Sequence, residues 1–260
     1  MTYSIQAIRQ NGKWHGVFDD LERSFTLALQ SLGIYSSDGQ PIVFGANLIL
    51  SQLVEIPDNA IIFNLEQVAA SDWIRGAYLD LLKSHEVWDY SQVNIRALAQ
   101  HGIKARLVRI GWMETNTIPD NPQKDIDVLF YGSMNDRRKK ALRAIADTGL
   151  QVRILSGMYG ENRDAYIART KAVINIHYYD GGILEPVRLA HLVGNGITVV
   201  SEYGADADLD RLYYNSAIFT QYDKLAVVCQ RICAMPADRL ENPVKALRQD
   251  ILLKEALCLK

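Results

Sequence analysis

Cysteine is scarce in this chain: Cys229, Cys233 and Cys258 are the only three in 260 residues. An odd, sparse count, with no CxxC spacing and no histidine close by, argues against a disulfide framework and fits a reducing compartment. The three are expected to be small buried side chains. No apolar run approaches the ~20 residues a membrane span needs. The opening stretch, MTYSIQAIRQNGKWHG, lacks an apolar h-region, so no signal peptide is expected. These absences point to the cytoplasm, with peripheral work on a lipid-linked substrate still open. A basic excess is missing too: 28 Lys and Arg face 30 Asp and Glu, for a net charge of −2. That balance argues against a dedicated nucleic-acid binder. There is no Walker loop, no GxGxxG and no ligand cluster spaced for a metal, so neither metal nor cofactor is expected.

What is present is ordinary for a soluble globular protein: 48% hydrophobic and 22% charged residues. The length allows one large domain or two small ones. Short apolar runs, PIVFGA (41–46), AIIFNL (60–65), EVWDY (86–90) and ARLVRIG (105–111), alternate with helical patterns such as DLERSFTLALQSLG and DWIRGAYLDLLKSH. Gly33 closes the first helix as a C-cap. Continuous apolar strands separated by helices predict a parallel sheet covered on both faces. ETNTIPDNPQKD (114–125), with two prolines and no apolar period, then interrupts the pattern.

After it the alternation restarts: IDVLFYG (126–132), a helix, QVRILSG (151–157), a helix, AVINIHYY (172–179), a helix, and ITVVSE (197–202). The tail reads as helices broken near Pro236 and Pro243. The expected fold class is therefore α/β, with two Rossmann-like parallel-sheet domains facing a cleft. The expected boundaries are 1–113, a linker over 114–124, a second domain over 125–240, and a C-terminal helix over 241–260 that packs back on the first domain.

Open α/β sheets bind ligands beyond the carboxyl ends of their strands. In the second half, Gly132 and Ser133 end a strand just before a helix capped by Asp136 and bearing Arg137 and Arg138. Backbone N–H groups and guanidinium forks of this kind suit phosphate oxygens. Tyr159 and Gly160 sit in a loop that lets a base or sugar approach. Arg163, Asp164 and Arg169 read as helix-surface charges. Asn175 and His177, two apart, share a strand face; His177 reads equally as a ligand contact or a satisfied core histidine. Glu185, before Pro186, reads as a helix-start residue or as an acceptor of sugar hydroxyls. Arg188 lies one turn on, within reach of a phosphate or of Glu185.

This order of elements resembles the donor-binding half of GT-B glycosyltransferases, nearest to a family-1/4-like, CgeB-like group. Gly132, Ser133, Arg137, Arg138, Asn175, His177, Glu185, Arg188, Gly196, Val199, Val200, Ser201 and Glu202 carry the resemblance. In the first half, HEVWDYSQVNIRALAQHGIKARLVRIGWME is similar to the segment that ends the N-terminal domain of such enzymes. The resemblance covers about residues 40 to 240. It departs in three places: many retaining members carry two glutamates separated by seven residues, and Val193 stands where the partner of Glu185 would be; the first half is short; and the Gly-rich first βα loop common in this fold is absent, with RQNGKWHGVFDDL (9–21) in its place.

The resemblance implies a cytoplasmic transferase that moves sugar from a nucleotide sugar to a glycan, a lipid-linked saccharide or another acceptor, without an essential metal. It implies that Gly132, Ser133, Arg137, Arg138, Tyr159, Gly160, Asn175, His177, Glu185 and Arg188 hold the donor. Arginines and helix N-termini would stabilise charge on the leaving diphosphate. An inverting reaction would need a base from the first half; His15, Glu66 and Asp89 are the candidates. Trp14, Trp88 and Tyr90 would stack on an acceptor sugar. Two other functions fit the same features: a non-catalytic glycan- or partner-binding protein, and a phage-type DNA-modifying glycosyltransferase.

Overall fold

The computed structural model describes residues 1–9, 16–51, 55–68, 75–113, 118, 119, 121, 123–235 and 247–259. The chain divides into two compact units. The first comprises Met1–Met113 and Ala246–Lys260, and the second Glu114–Lys245.

The first unit is a five-stranded parallel sheet: β1 (Tyr3–Ala7), β2 (Gln40–Phe44), β3 (Ile61–Asn64), β4 (Glu86–Asp89) and β5 (Ala105–Leu107), in that spatial order. Side chains alternate between faces. Val43, Ile62 and Val87 pack on one face against Tyr78 and Leu82 of α2 (Gly76–Ser84) and Leu98 of α3 (Gln92–Gln100). Phe44, Phe63 and Trp88 lie side by side on the other face. Phe25 of α1 (Asp19–Ser31) meets Phe44 and Phe63 edge-on, with ring centroids 5.2 and 5.5 Å away.

Strand β1 escapes the periodicity reading. Only Tyr3 of its five residues is buried, so it shows no continuous apolar run. It forms one edge of the sheet, beside β2. Tyr3 pairs with Tyr35 on one side and Gln40 on the other, so the chain crosses beneath the start of the strand between them. Gly39 makes that crossing possible: a Cβ there would stand 2.6 Å from the Tyr3 carbonyl carbon.

The second unit holds β6 (Ile126–Tyr131), α4 (Asp136–Ala146), β7 (Val152–Leu155), α5 (Gly160–Ile167), β8 (Thr170–Asn175), α6 (Pro186–Gly194), β9 (Val199–Glu202), α7 (Ala207–Tyr213), β10 (Ile218–Thr220) and α8 (Leu225–Cys233). Its sheet runs β10-β9-β8-β6-β7, all parallel. From β6 the chain goes first to β7 on one side, then back to β8 on the other. The switch point therefore lies between the ends of β6 and β8, where open α/β sheets admit ligands. Val128, Phe130, Ile174 and Val200 pack beneath α4 and α8, with Leu142, Ile145 and Cys229.

Several expectations change. Strand β8 ends at Asn175, not Tyr179, because the residues beyond it turn into a loop held by Asn135, which donates to the Tyr178 carbonyl at 2.6 Å. Asn135, not Asp136, caps α4: its side chain accepts from the Arg138 amide at 2.9 Å. Cys229 and Cys233 are buried, and burial pushes their thiols up to about 12 and about 11. Cys258 is exposed instead.

The last helix, α9 (Gln249–Ala256), belongs to the first unit. Its Gln249 side chain accepts from the Gly111 amide at 2.7 Å. No helix of the described residues is long and apolar enough to cross a membrane.

Candidate functional site

The ends of β6, β8 and β9 carry polar side chains that converge on one place. Glu185, just before α6, receives three donors. His177 Nδ1 lies 2.8 Å from its Oε2, Asn175 Nδ2 donates to the same oxygen at 3.0 Å, and Arg138 Nη2 donates to Oε1 at 3.2 Å. Burial works against this charge. His177, Arg188 and Arg138 prevail and hold the carboxyl down at about 2. His177 is 1% exposed. Burial lowers its pKa, but Glu185, Glu202 and Asp210 outweigh that and raise it above the ordinary imidazole value.

Arg137 and Arg138 differ in role although adjacent. Arg137 grips Glu202 with both terminal nitrogens, at 2.6 and 2.5 Å, and lies 4.1 Å over the Tyr222 ring. Arg138 is buried. Besides Glu185 it donates to the carbonyls of Ile176 at 2.9 Å and Ser133 at 2.8 Å. Burial, with Arg188 nearby, pulls its pKa down to about 10. Glu202 Oε1 also accepts from the His177 amide at 2.6 Å. Both arginines are thus neutralised from within.

Arg188 is not. Its Nη1 donates to Asn175 Oδ1 at 2.6 Å, and no carboxylate among the described residues lies within ion-pair distance. The guanidinium lies against the end of β6, 5.2 Å from the Tyr131 ring centroid. Gly132 makes room for it: its φ is +137°, and a Cβ there would stand 2.9 Å from Arg188 Nη2. Two buried nitrogens of the cluster, Arg188 Nε and His177 Nε2, have no hydrogen-bond partner. Uncompensated buried polar atoms are costly, and two beside one another at strand ends call for an explanation.

Gly132, Ser133, Arg137, Arg138, Asn175, His177, Glu185 and Arg188 therefore meet at the switch point. Tyr159 and Gly160 open α5 at the end of β7. Burial raises the Tyr159 phenol and Arg163 opposes it, which puts Tyr159 beside a second cluster. Arg163 and Asp164 are 4% and 3% exposed, not surface charges. Asp164 Oδ1 accepts from Arg163 Nη2 at 2.7 Å and lies 3.1 Å from His191 Nε2, tying α5 to α6. Arg169 does stay at the surface, paired with Asp125. Two further residues join the cluster: Glu202, which carries the resemblance but was not among the expected donor contacts, and Tyr222. A carboxylate ending the apolar run VVSE was the available signal for Glu202; Tyr222 left none.

The closely spaced aspartates 206, 208 and 210 do not gather. Asp206 caps α7, Asp208 pairs with Arg211, and Asp210 accepts from the Gly204 amide at 2.8 Å.

The acceptor-side candidates fare differently. His15 and Trp14 lie outside the described residues. Trp88 and Tyr90 are core residues, 0% and 3% exposed, Trp88 edge-on to Tyr3 and Phe63; buried rings offer no stacking face. Asp89 is also fully buried. Its oxygens accept from Asn64 Nδ2 at 2.6 Å, the Ser91 amide at 2.8 Å and Asn94 Nδ2 at 3.2 Å. Burial pushes it up to about 7 against these bonds. It ties strand ends together rather than standing where an acceptor hydroxyl arrives. Glu66 is half-buried and accepts from Asn47 Nδ2 at 2.7 Å.

The chain matches no protein-family model. It is similar to three proteins of Acanthamoeba polyphaga mimivirus. It is 37% identical to uncharacterized protein L138 over 108 residues, which are 40% of this chain and 12% of that one. It is 28% identical to uncharacterized protein L140 over 209 residues, 74% and 64% of the two chains. It is 26% identical to uncharacterized protein L137 over 232 residues, 85% and 31%. The chain thus spans less than two thirds of each of these relatives.

Among solved structures it is similar to the DNA-modifying enzyme β-glucosyltransferase, with a TM-score of 0.54 and 11% identity over 99% and 95% of the two chains. The lipopolysaccharide outer core galactosyltransferase WaaB, in its apo form, gives a TM-score of 0.51 and 10% identity over 99% of both. AviGT4, a glycosyltransferase involved in avilamycin A biosynthesis, gives 0.51 and 11% identity over 99% and 98%. The two five-stranded parallel sheets with flanking helices are the two-domain, Rossmann-like GT-B fold of these glycosyltransferases.

Proposed function

We propose that the protein is a nucleotide-sugar-dependent glycosyltransferase of the family-1/4-like, CgeB-like group, and that its second unit holds the donor. One observation carries this reading. Arg188, alone among the three arginines at the switch point, forms no ion pair with a carboxylate among the described residues, and it lies over the Gly132 backbone where β6 and β8 diverge. An arginine so placed is a ready hydrogen-bond donor to phosphate oxygens. In this reading Arg188 binds the donor diphosphate and stabilises charge on it as the sugar leaves. His177, held through Nδ1 by Glu185, presents Nε2 to the same ligand. Glu185, fixed by three donors, receives sugar or ribose hydroxyls with the part of its side chain that stays exposed. Tyr159 and Gly160 flank the nucleotide. The reaction needs no essential metal. The acceptor is a glycan, a lipid-linked saccharide or another hydroxyl compound, met in the cytoplasm or at a membrane surface. Glu66, half-buried just past the end of β3 and bonded to Asn47, is the acceptor base.

Isothermal titration with UDP, GDP, ADP and CMP tests the donor site. One nucleotide is expected to bind, and Arg188→Ala to weaken it about tenfold or more, the value of one charge-assisted hydrogen bond. Absence of binding by all four, or an Arg188→Ala variant that binds as well as the wild type, sinks the proposal.

A second reading is donor binding without transfer. The burial of Asp89, Trp88 and Tyr90 favours it, because it removes three of the acceptor-side candidates. Turnover of the bound nucleotide sugar, followed by release of free nucleotide, separates the two readings.

A further inference from the structure

Arg188 has a long side chain with many rotamers, and holding it in one place costs conformational entropy. Its neighbours Arg137 and Arg138 are held by carboxylates, at 2.5 and 3.2 Å. Arg188 is held by a neutral amide, at 2.6 Å. The orientation of that amide is fixed by its other contacts. The Ser201 hydroxyl donates to the Glu202 carbonyl at 3.0 Å, so toward Asn175 its oxygen can only accept. It accepts from Asn175 Nδ2 at 3.0 Å. Glu185 is ionised and also only accepts, taking the second Nδ2 hydrogen at 3.0 Å. Both amide hydrogens are then used, and Oδ1 must face Arg188. A flipped amide would set NH2 against a guanidinium and an oxygen against a carboxylate. Asn175 is 0% exposed, so no solvent offers an alternative partner.

We propose that Asn175 is the positioning residue of this site: its neutral carbonyl aims Arg188 across Gly132 and leaves the guanidinium charge free for an anion. The inference rests on the anion-binding reading of Arg188. The chemistry explains why an amide stands here. A carboxylate at 2.6 Å would form an ion pair like that of Arg137 with Glu202, and the cation would be neutralised before any ligand arrived. Ser201 belongs to the same device, because its hydroxyl sets the amide's orientation without touching Arg188.

The test uses the full chain and isothermal titration with inorganic pyrophosphate and with the nucleotide that binds best. The variants are Asn175→Asp, Ser201→Ala, Arg188→Ala, and each of the first two combined with Arg188→Ala. Asn175→Asp is nearly isosteric and is expected to lose affinity about tenfold or more, as Arg188→Ala does. Ser201→Ala, the milder change, is expected to lose about threefold, within the range of one neutral hydrogen bond. Both losses should vanish in the Arg188→Ala background, since these residues act through Arg188. A merely structural role would not give that cancellation. If Arg188→Ala weakens binding while Asn175→Asp and Ser201→Ala bind as the wild type, the positioning role is overturned and the anion site stands. The same holds if the Asn175→Asp loss persists undiminished without Arg188. If the wild type binds neither probe, or Arg188→Ala changes nothing, the anion site itself falls and the positioning role with it.

Discussion

The two units each gather buried polar groups at their strand ends, and the two gatherings differ in what they leave over. In the first unit, Tyr78 donates to Asn64 Oδ1 at 2.9 Å, and Asn64 Nδ2 donates to Asp89 and to the Glu66 carbonyl. Asn94 Nδ2 donates to the same two partners, while its Oδ1 accepts from the Val68 amide at 3.0 Å. Both amides are fully used, and the set is closed. In the second unit, the carboxylates of Glu185 and Glu202 satisfy Arg137 and Arg138. Arg188 forms no ion pair, and two buried nitrogens have no partner among the described residues. Closure identifies a network that holds the fold; leftover donors of one sign identify a network that meets a ligand.

The largest effect expected from this difference is on stability. Asp89→Leu leaves three donors buried without acceptors and should cost about 3 kcal/mol or more. All four tryptophans lie within residues 1–113, so their fluorescence in urea follows the first unit alone. A loss below about 1 kcal/mol would break the contrast. Arg188→Ala should do the reverse: it should barely move the urea midpoint read by the far-ultraviolet signal, yet abolish most nucleotide binding. Gly132→Ala comes next. It should cost about 1 kcal/mol for a side chain at positive φ, and it should weaken binding several-fold by displacing Arg188.

The smallest effect is in pH dependence. Asp89 is raised to about 7, so the stability tied to its proton is full below the ordinary carboxylate range and is lost as pH rises through about 7. Glu185 is lowered to about 2, so its contribution is present above the ordinary value and is lost only as pH falls through about 2. Between pH 5 and 8 the first unit should therefore weaken through Asp89 while the contribution of Glu185 stays constant. Tryptophan-detected urea midpoints should decline over that range and flatten in Asp89→Asn. An equal decline in the variant would assign the slope elsewhere.

Much of the second unit was legible before its structure. IDVLFYG, QVRILSG and ITVVSE are apolar runs ended by small or polar residues, and each contains a strand close to the expected place. The eight residues of the switch point were legible for the same reason, since polar groups right after buried strands have few places to go. Strand β1 was not, because a half-exposed strand has no continuous apolar signature. The buried pair Arg163–Asp164 was hidden as well: charge pattern alone does not tell a helix face turned to water from one turned toward His191.

What the sequence determined by itself was the order of elements, the break between two α/β halves, and the gathering of glycines and arginines at strand ends. These follow from local periodicity and turn chemistry, which act over a few residues. Which arginine is left without an ion pair was decided only by the tertiary structure. Arg137, Arg138 and Arg188 are the same residue type near the same strand ends, and their partners lie 65, 47 and 13 positions away along the chain. Charge balance in a buried site depends on which carboxylates the fold brings within hydrogen-bond distance, and no local pattern contains that information.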